Sequence, residues 1–248
     1  MNHVDNQKKH GFTIVELMLA MTFISVLLLA IAMTIVQIAN IYNHGMILKE
    51  VNQTSRAVSE ELDRAIRASS SFTTDPAAHR YVNNQWGGRL CTGQYSYVWN
   101  YGASLSTKST NRNMYTGANA AGNNTPSGST TSSEISFVKV LDAAGAYCVP
   151  GTNGVYPSVS PTNATEMLRA GDHTLAIHSF AITSTATAKD ALSSQALYKA
   201  TFTIGTGNID ALNTDRSQCK PPNTAGADPN YCAVQQFTIV LRAVSGVN

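Results

Sequence analysis

The feature that constrains this chain most is a long apolar segment near its N-terminus that contains one carboxylate. From Phe12 to Ile38 nearly every side chain is apolar or small, and a helix of that length crosses about 30 Å of hydrocarbon. Glu16 is the only charged residue in the segment. A carboxylate near the middle of a bilayer costs on the order of 2.5–3.5 kcal/mol by insertion scales. Glu16 is therefore a candidate functional residue that needs a partner, and no basic residue lies within helical reach in the segment.

The residues before the segment narrow the interpretation. Lys8 and Lys9 give the cytoplasmic side its positive charge. A cleaved secretory signal fits poorly, because its apolar core of about 7–15 residues ends at a small-residue site, whereas this run is roughly twice as long. An ordinary signal anchor fits the length but explains neither Glu16 nor the pair Gly11-Phe12. A cut after Gly11 would create a new amino terminus as a partner for Glu16.

The ten residues 8–17 read KKHGFTIVEL. This string resembles the class III signal of type IV pilins and pseudopilins, which has a short basic leader, an obligatory Gly, an aromatic residue and a Glu at the fifth mature position. In that family a membrane aspartyl peptidase cuts after the Gly and methylates the new N-terminal residue. The resemblance implies that Gly11 is the processing site and Phe12 the methylated terminus. It also implies that Glu16 pairs with the terminal amine of a neighbouring subunit during assembly.

The resemblance implies a structural role for the whole chain. The protein would be held in the cytoplasmic membrane by one helix, with its C-terminal domain outside, and would then enter a type IV pilus that supports adhesion, motility or DNA uptake. Its partners would be other pilin subunits, the prepilin peptidase, the inner-membrane assembly platform and, before assembly, membrane lipid. The size of the chain and the absence of Pro and Gly from Phe12 to His44 favour a minor or priming subunit, because many major pilins carry a Pro in this helix.

Two alternatives to a pilus subunit stay open. A pseudopilin of a type II secretion or competence system would share all of these N-terminal residues, and a surface adhesin or enzyme would use the helix as a plain tether. The formal net charge of +2 gives no strong signal for nucleic-acid binding. The sequence has no G-x-S-x-G, no H-E-x-x-H and no Gly-rich phosphate loop beside a strand. We therefore expect no enzymatic activity and no cofactor.

The chain divides into four segments. These are a cleaved leader (1–11), a transmembrane and assembly helix (12–41), an amphipathic continuation of that helix (42–70) and an exported globular domain (71–248). The continuation is predicted because it contains no Pro and its apolar residues recur at helical spacing; these are Leu48, Val51, Val58, Leu62 and Ala65.

The charges on the opposite face of this continuation fall into acid-before-base pairs. Glu60 with Arg64, and Asp63 with Arg67, are four residues apart, and each pair is worth about 0.2–0.5 kcal/mol. We expect one helix from Phe12 to about Ser69.

The exported domain has the pattern of an antiparallel sheet with long loops. Five segments rich in Ile, Val, Thr, Phe and Tyr are predicted strands: Leu90–Tyr101, Glu134–Leu141, His173–Thr183, Leu197–Ile204 and Ala233–Val244. The stretch 163–170, NATEMLRA, is close to a capping box and predicts a short helix. The predicted fold is α+β, with a long N-terminal helix packed on an antiparallel β-sheet, which matches the roll that the pilin resemblance implies.

Two further patterns lie in the exported domain. Residues 104–133 are rich in Ser, Thr, Asn and Gly and poor in apolar residues, so we expect a flexible exposed loop. Tyr95, Tyr97, Trp99 and Tyr101 alternate along one predicted strand, and we interpret them as a sheet-packing stripe rather than a nucleic-acid or sugar platform.

All four cysteines lie in the exported part. An even number in an oxidising compartment indicates two disulfides, although four cysteines allow three connectivities. We prefer Cys91 with Cys148 and Cys219 with Cys232. No two cysteines have the spacing of structural zinc ligands, so we expect no zinc site.

A calcium site is a weaker alternative in one loop of the exported domain. Asp210, Asp215 and Asp228 lie in a stretch rich in Pro and Asn, where calcium could bind as in some relatives of the resembled family. We favour solvated loop acids and expect no metal.

Overall fold

The computed structural model describes residues 12–85, 87–106, 135–151, 156–157, 159, 163–168, 174–184 and 196–243. The predicted leader therefore lies outside the described residues, as does nearly all of the predicted 104–133 loop. The chain forms two compact units, Met1–Asn43 and His44–Asn248, which we describe separately.

Helix α1 spans Ile14–Arg67, close to the predicted bounds. In the first unit its side chains are exposed, with large apolar residues on every face. This helix is long and apolar enough to cross a membrane, and none of its most apolar window is buried in the protein. An apolar surface of this extent on all sides of a helix is typical of a segment that another apolar environment covers.

In the second unit α1 buries one face. The predicted stripe is confirmed at Val51, Val58, Leu62 and Ala65, which are buried, while Leu48 is half-buried. On the outer face Asp63 pairs with Arg67 at 2.7 Å, as expected.

The other predicted ion pair on α1 is wrong, because Arg64 pairs with a different glutamate. Arg64 Nη1 lies 3.2 Å from Glu61 Oε2, three residues away, instead of pairing with Glu60. The reason is that Glu61 is fixed at the inner edge of the helix by two further donors, described below.

Five strands form the first antiparallel sheet. Their order in space follows the sequence, and their bounds are β1 Tyr81–Asn83, β2 Gly87–Cys91, β3 Tyr95–Asn100, β4 Phe137–Leu141 and β5 Ala164–Glu166. A short helix α2, Gly102–Ser106, follows β3. The three remaining strands form a second antiparallel sheet in the order β6-β7-β8, with β6 Leu175–Ser184, β7 Ala196–Thr206 and β8 Val234–Ala243. The α+β class with a long N-terminal helix and antiparallel strands is confirmed, whereas the single sheet predicted from the sequence is wrong, because the strands divide into two sheets.

Two local predictions are wrong. The single strand predicted over Leu90–Tyr101 is a hairpin of β2 and β3, because Gly93 adopts a φ of +99° in the region that Gly tolerates best. The helix predicted from the NATE sequence is strand β5 instead. Its Glu166 accepts hydrogen bonds from the backbone N–H groups of Ser136 and Phe137 at 2.9 and 2.8 Å, so the carboxylate fixes the start of β4 rather than capping a helix.

The aromatic stripe lies in the core, as predicted. Tyr97, Trp99 and Tyr101 are buried and Tyr95 is half-buried. The Trp99 ring lies 4.4 Å from that of Phe180 in the second sheet, so the two sheets and the inner face of α1 share one core.

Trp99 also explains one glycine in the neighbouring strand. A Cβ on Gly88 would lie 2.2 Å from the Trp99 ring, and therefore only Gly fits beneath this side chain.

Candidate functional site

The candidate site at the start of α1 is built by Thr13 and Glu16. The Glu16 carboxylate accepts hydrogen bonds through Oε2 from the Thr13 backbone N–H at 2.9 Å and from its hydroxyl at 2.8 Å. The Thr13 hydroxyl in turn accepts from the Glu16 backbone N–H at 3.3 Å. This reciprocal arrangement is a capping box, which satisfies the free N–H groups at a helix N-terminus.

The capping box changes the expectation that the partner of Glu16 must come from outside its own segment. Thr13 supplies two donors to Oε2, whereas in the described part of the chain Oε1 receives no hydrogen bond. The carboxylate is thus held in a fixed orientation with one oxygen available. The T-x-x-E spacing of residues 13–16 is itself the sequence signal for this arrangement.

The other predicted processing residues border this site. Phe12 precedes α1 and is 88% exposed, and Gly11 lies outside the described residues. The site is not enclosed by other described side chains, because the residues that follow Glu16 along the helix are exposed apolar groups. The arrangement presents an oriented carboxylate on an apolar helix. It is suited to binding a single cationic group that belongs to another apolar helix.

The predicted disulfide residues are joined in the preferred pairs. Cys91 at the end of β2 is bonded to Cys148, and Cys219 is bonded to Cys232. Cys91 and Cys148 are fully buried. Each bond therefore fixes a loop of the C-terminal unit.

A second cluster of charges lies between α1 and the first sheet, and the sequence did not reveal it. Glu61 Oε1 accepts hydrogen bonds from the Tyr97 hydroxyl at 2.8 Å and from Lys139 Nζ at 2.5 Å. The Lys139 ammonium also lies 3.8 Å from the centre of the Tyr95 ring. Since these contacts join residues 36 and 78 positions apart, no local pattern could have indicated them.

The pKa shifts within this cluster keep its charge states fixed at neutral pH. Burial would raise the pKa of the Glu61 carboxyl, but the hydrogen bonds from Lys139 and Tyr97 and the charges of Lys139 and Arg64 outweigh it and lower the pKa. Burial and the Glu61 carboxylate raise the pKa of the Tyr97 hydroxyl. Glu61 thus stays ionised and Tyr97 stays protonated at neutral pH, and neither is poised to exchange protons with a substrate.

The His178 ring of the C-terminal unit is held within the fold. His178 is buried, and burial lowers its pKa to about 4, while its Nε2 lies 3.0 Å from the Thr206 carbonyl oxygen. The ring is therefore neutral at pH 7 and bonded to the backbone. Within the described residues no three His, Cys, Asp or Glu side chains are placed to hold a metal ion.

Of the aspartates considered for calcium, two are engaged within their own loop. Asp215 accepts from the Ser217 N–H and hydroxyl, and Asp228 accepts from the Tyr231 N–H.

No family model, curated protein or solved structure matches the chain. Its function therefore has to be inferred from the N-terminal segment and from the contacts described above.

Proposed function

We propose that the chain is a prepilin-type structural subunit that is cleaved after Gly11 and assembled into a filament through its N-terminal helix. The proposal is carried by one observation: an exposed apolar helix holds a single carboxylate, oriented by Thr13, in its first turn. The leader residues and Gly11-Phe12 stand in the register of a prepilin signal. A long helix followed by antiparallel sheets is compatible with the pilin architecture.

Before assembly, lipid covers the apolar surface of the helix. Burial of a Val, Leu, Ile, Phe or Met side chain is worth about 1.5–3 kcal/mol, and residues 12–41 expose many of these. The chain is then a single-pass membrane protein with Lys8 and Lys9 on the cytoplasmic side and the C-terminal domain outside. In a filament the helices of other subunits replace the lipid, so apolar burial changes little and does not by itself select the partner.

The carboxylate supplies that selection. Cleavage after Gly11 frees the amine of Phe12, and the available Oε1 of Glu16 accepts the amine of a neighbouring subunit. Two unit charges 4 Å apart attract each other by about 4 kcal/mol at an effective dielectric constant of 20. Because the amine exists only after cleavage, assembly depends on processing.

The C-terminal unit is suited to display outside the cell. Its four cysteines are all paired, which is expected in an oxidising compartment. We assign the chain to the minor or priming subunits because of its size and the absence of Pro from the membrane segment. The prepilin peptidase, the inner-membrane assembly platform and other pilin subunits are then its partners.

Thr13 provides a test of how Glu16 is held. Replacing Thr13 with Val should lower filament yield about fivefold, because the loss of a helix N-cap costs about 1 kcal/mol and frees the carboxylate to turn. Thr13→Ser keeps the hydroxyl and should remain near the wild-type yield. The yield is measured by immunoblotting of sheared filaments, with processing followed in the same cells. Equal yields for the Val and Ser variants would show that the capping box plays no part in assembly.

The proposed function is tested by fractionation of cells that display filaments. Shearing should release the mature chain with the filaments from cells that have the prepilin peptidase, and from no others. A membrane protein without a prepilin signal serves as the control and should stay with the cells. Retention of this chain in the membrane fraction of both strains would indicate a plain tether and would contradict the proposal.

A further inference from the structure

Strand β8 is a long and regular strand at the edge of its sheet. Its ten residues pair with β7 without interruption from Gly205↔Val234 to Ala196↔Ala243, and within the described residues β8 pairs with no other strand. It contains no Pro, and Arg242 is its only charged residue. Its outer edge therefore offers unpaired backbone groups with few of the features that block strand addition.

The other sheet edges are protected. Strands β1 and β5 have only three residues each. Strand β6 has a bulge between Ile177 and Ser179, and side chains occupy its outward backbone groups: Asn83 Nδ2 donates to the Phe180 carbonyl oxygen at 2.7 Å, and the Ile182 N–H donates to the Tyr81 hydroxyl at 3.2 Å. Short strands, bulges and covering groups are the usual means of preventing edge-to-edge association. Among these four edges β8 is the exception.

The side chains of β8 are also incompletely covered. Phe237 and Ile239 point to the core yet are only half-buried, and Val240 on the opposite face is 66% exposed. A groove of about 380 Å³ runs beside the strand. It is lined by Ile239, Val240 and Leu241 of β8 and by Ser59, Glu60, Asp63 and Arg67 of α1. A strand added to β8 would place its core-facing side chains in this groove, because alternate residues of a strand point to one face.

We propose that β8 pairs in antiparallel orientation with β8 of a second copy of this chain, so that the two three-stranded sheets join into one of six strands. The sequence of β8 is self-complementary in this orientation. With Ile239 opposite Ile239 of the partner subunit, Phe237 faces the partner's Leu241 on the core side. On the other side Thr238 faces the partner's Val240, and Gln236 faces the partner's Arg242.

The charges agree with a second copy as the occupant. The two Arg242 side chains stand six residues apart along the pair, which is about 20 Å, so the only charges of the strand do not meet. Like charges directly opposite each other would destabilise the pair. This pairing goes beyond the proposed assembly function and does not depend on it, since it uses the C-terminal unit alone.

Cysteine cross-linking of the full-length chain in the membranes of producing cells tests the pairing. All native cysteines are in disulfides, so Thr238→Cys introduces the only free thiol. In the register given above, the two introduced cysteines are diagonal neighbours about 7–8 Å apart, and a short bis-maleimide should join them into a homodimer. Thr183→Cys, exposed on β6 of the same sheet, is the matched control and should give no dimer.

A second substitution separates strand pairing from chance collision. Val240→Lys in the Thr238→Cys background should lower the cross-linked fraction about tenfold or more. Residue 240 faces residue 238 of the partner subunit twice in the pair, so the substitution replaces apolar packing by charge at both places. Thr183→Lys in the same background should have no effect. The proposal would be overturned if no homodimer forms although Thr238→Cys reacts with a monofunctional maleimide. It would also be overturned by a cross-link to a different protein, or by a homodimer whose yield is insensitive to Val240→Lys. None of these results would alter processing after Gly11, so failure here is distinguishable from failure of the proposed function.

Discussion

Replacing Glu16 with Ala should reduce the yield of assembled filament about tenfold or more while cleavage after Gly11 continues. In the proposed assembly, the substitution removes the carboxylate that would attract the amine of a neighbouring subunit, an interaction of about 4 kcal/mol at 4 Å and an effective dielectric constant of 20. It leaves the apolar surface intact, so insertion into the membrane should be unchanged. The measurement is an immunoblot of sheared filaments beside one of the processed chain in whole cells.

Glu16→Gln separates the charge of this residue from its capping role. Gln can accept the same hydrogen bonds from Thr13 and still complete a capping box, but it carries no charge. If the charge drives assembly, the Gln variant should be as defective as the Ala variant. A normal filament yield from Glu16→Ala would contradict this mechanism and favour a plain membrane tether.

The two disulfides should differ in their contribution to the free energy of unfolding. Cys91–Cys148 closes a sequence separation of 57 residues and Cys219–Cys232 one of 13. In the chain-entropy account, removing them costs about 4 and about 3 kcal/mol respectively. The Cys91→Ala/Cys148→Ala variant should lose the larger amount, and burial of both sulfur atoms adds to the difference.

Urea unfolding of the full-length chain in detergent, followed by tryptophan fluorescence, measures the two losses. The Cys219→Ala/Cys232→Ala variant is the matched control, because it also removes one disulfide and two sulfur atoms. A control variant that is as unstable as the first, or less stable, would show that loop entropy does not govern these bonds.

The parts of the fold that were predictable have local patterns. The apolar spacing of Val51, Val58 and Leu62 specifies which face of α1 is buried. Both faces of β3 are buried, and the alternation of Tyr97 and Trp99 specifies which of them packs into the core shared with α1. In each case a period of 3.6 or 2 residues is visible without knowledge of the fold.

The errors arise where a distant or a single residue overrides the local pattern. The Glu166 carboxylate bonds to the backbone of β4, and this tertiary contact prevails over the capping pattern of its own segment. Gly93 turns an apparently continuous strand into a hairpin through one positive φ.

Arg89 has an environment that its local sequence does not indicate. Its side chain is fully buried and donates from Nη1 to the carbonyl oxygens of Tyr147 and Pro157, both at 2.8 Å. A charged residue in a strand is usually exposed, and its two acceptors lie 58 and 68 residues away. Only the tertiary structure places them around the guanidinium.

The candidate site was predictable in part. The carboxylate in the apolar run indicates Glu16 as a candidate functional residue, while the processing roles of Gly11 and Phe12 stay predictions. The capping role of Thr13 was equally visible in the spacing, whereas the Glu61 cluster was not, since three separate elements supply its members.

The central claim is that the chain enters the prepilin pathway, and mass spectrometry of its N-terminal peptide tests this most directly. The protein is recovered from cells with and without a prepilin peptidase. We expect a peptide that begins at N-methylated Phe12 in the first sample and an intact leader in the second. An intact leader in both samples would contradict the claim and leave residues 12–41 as a plain anchor.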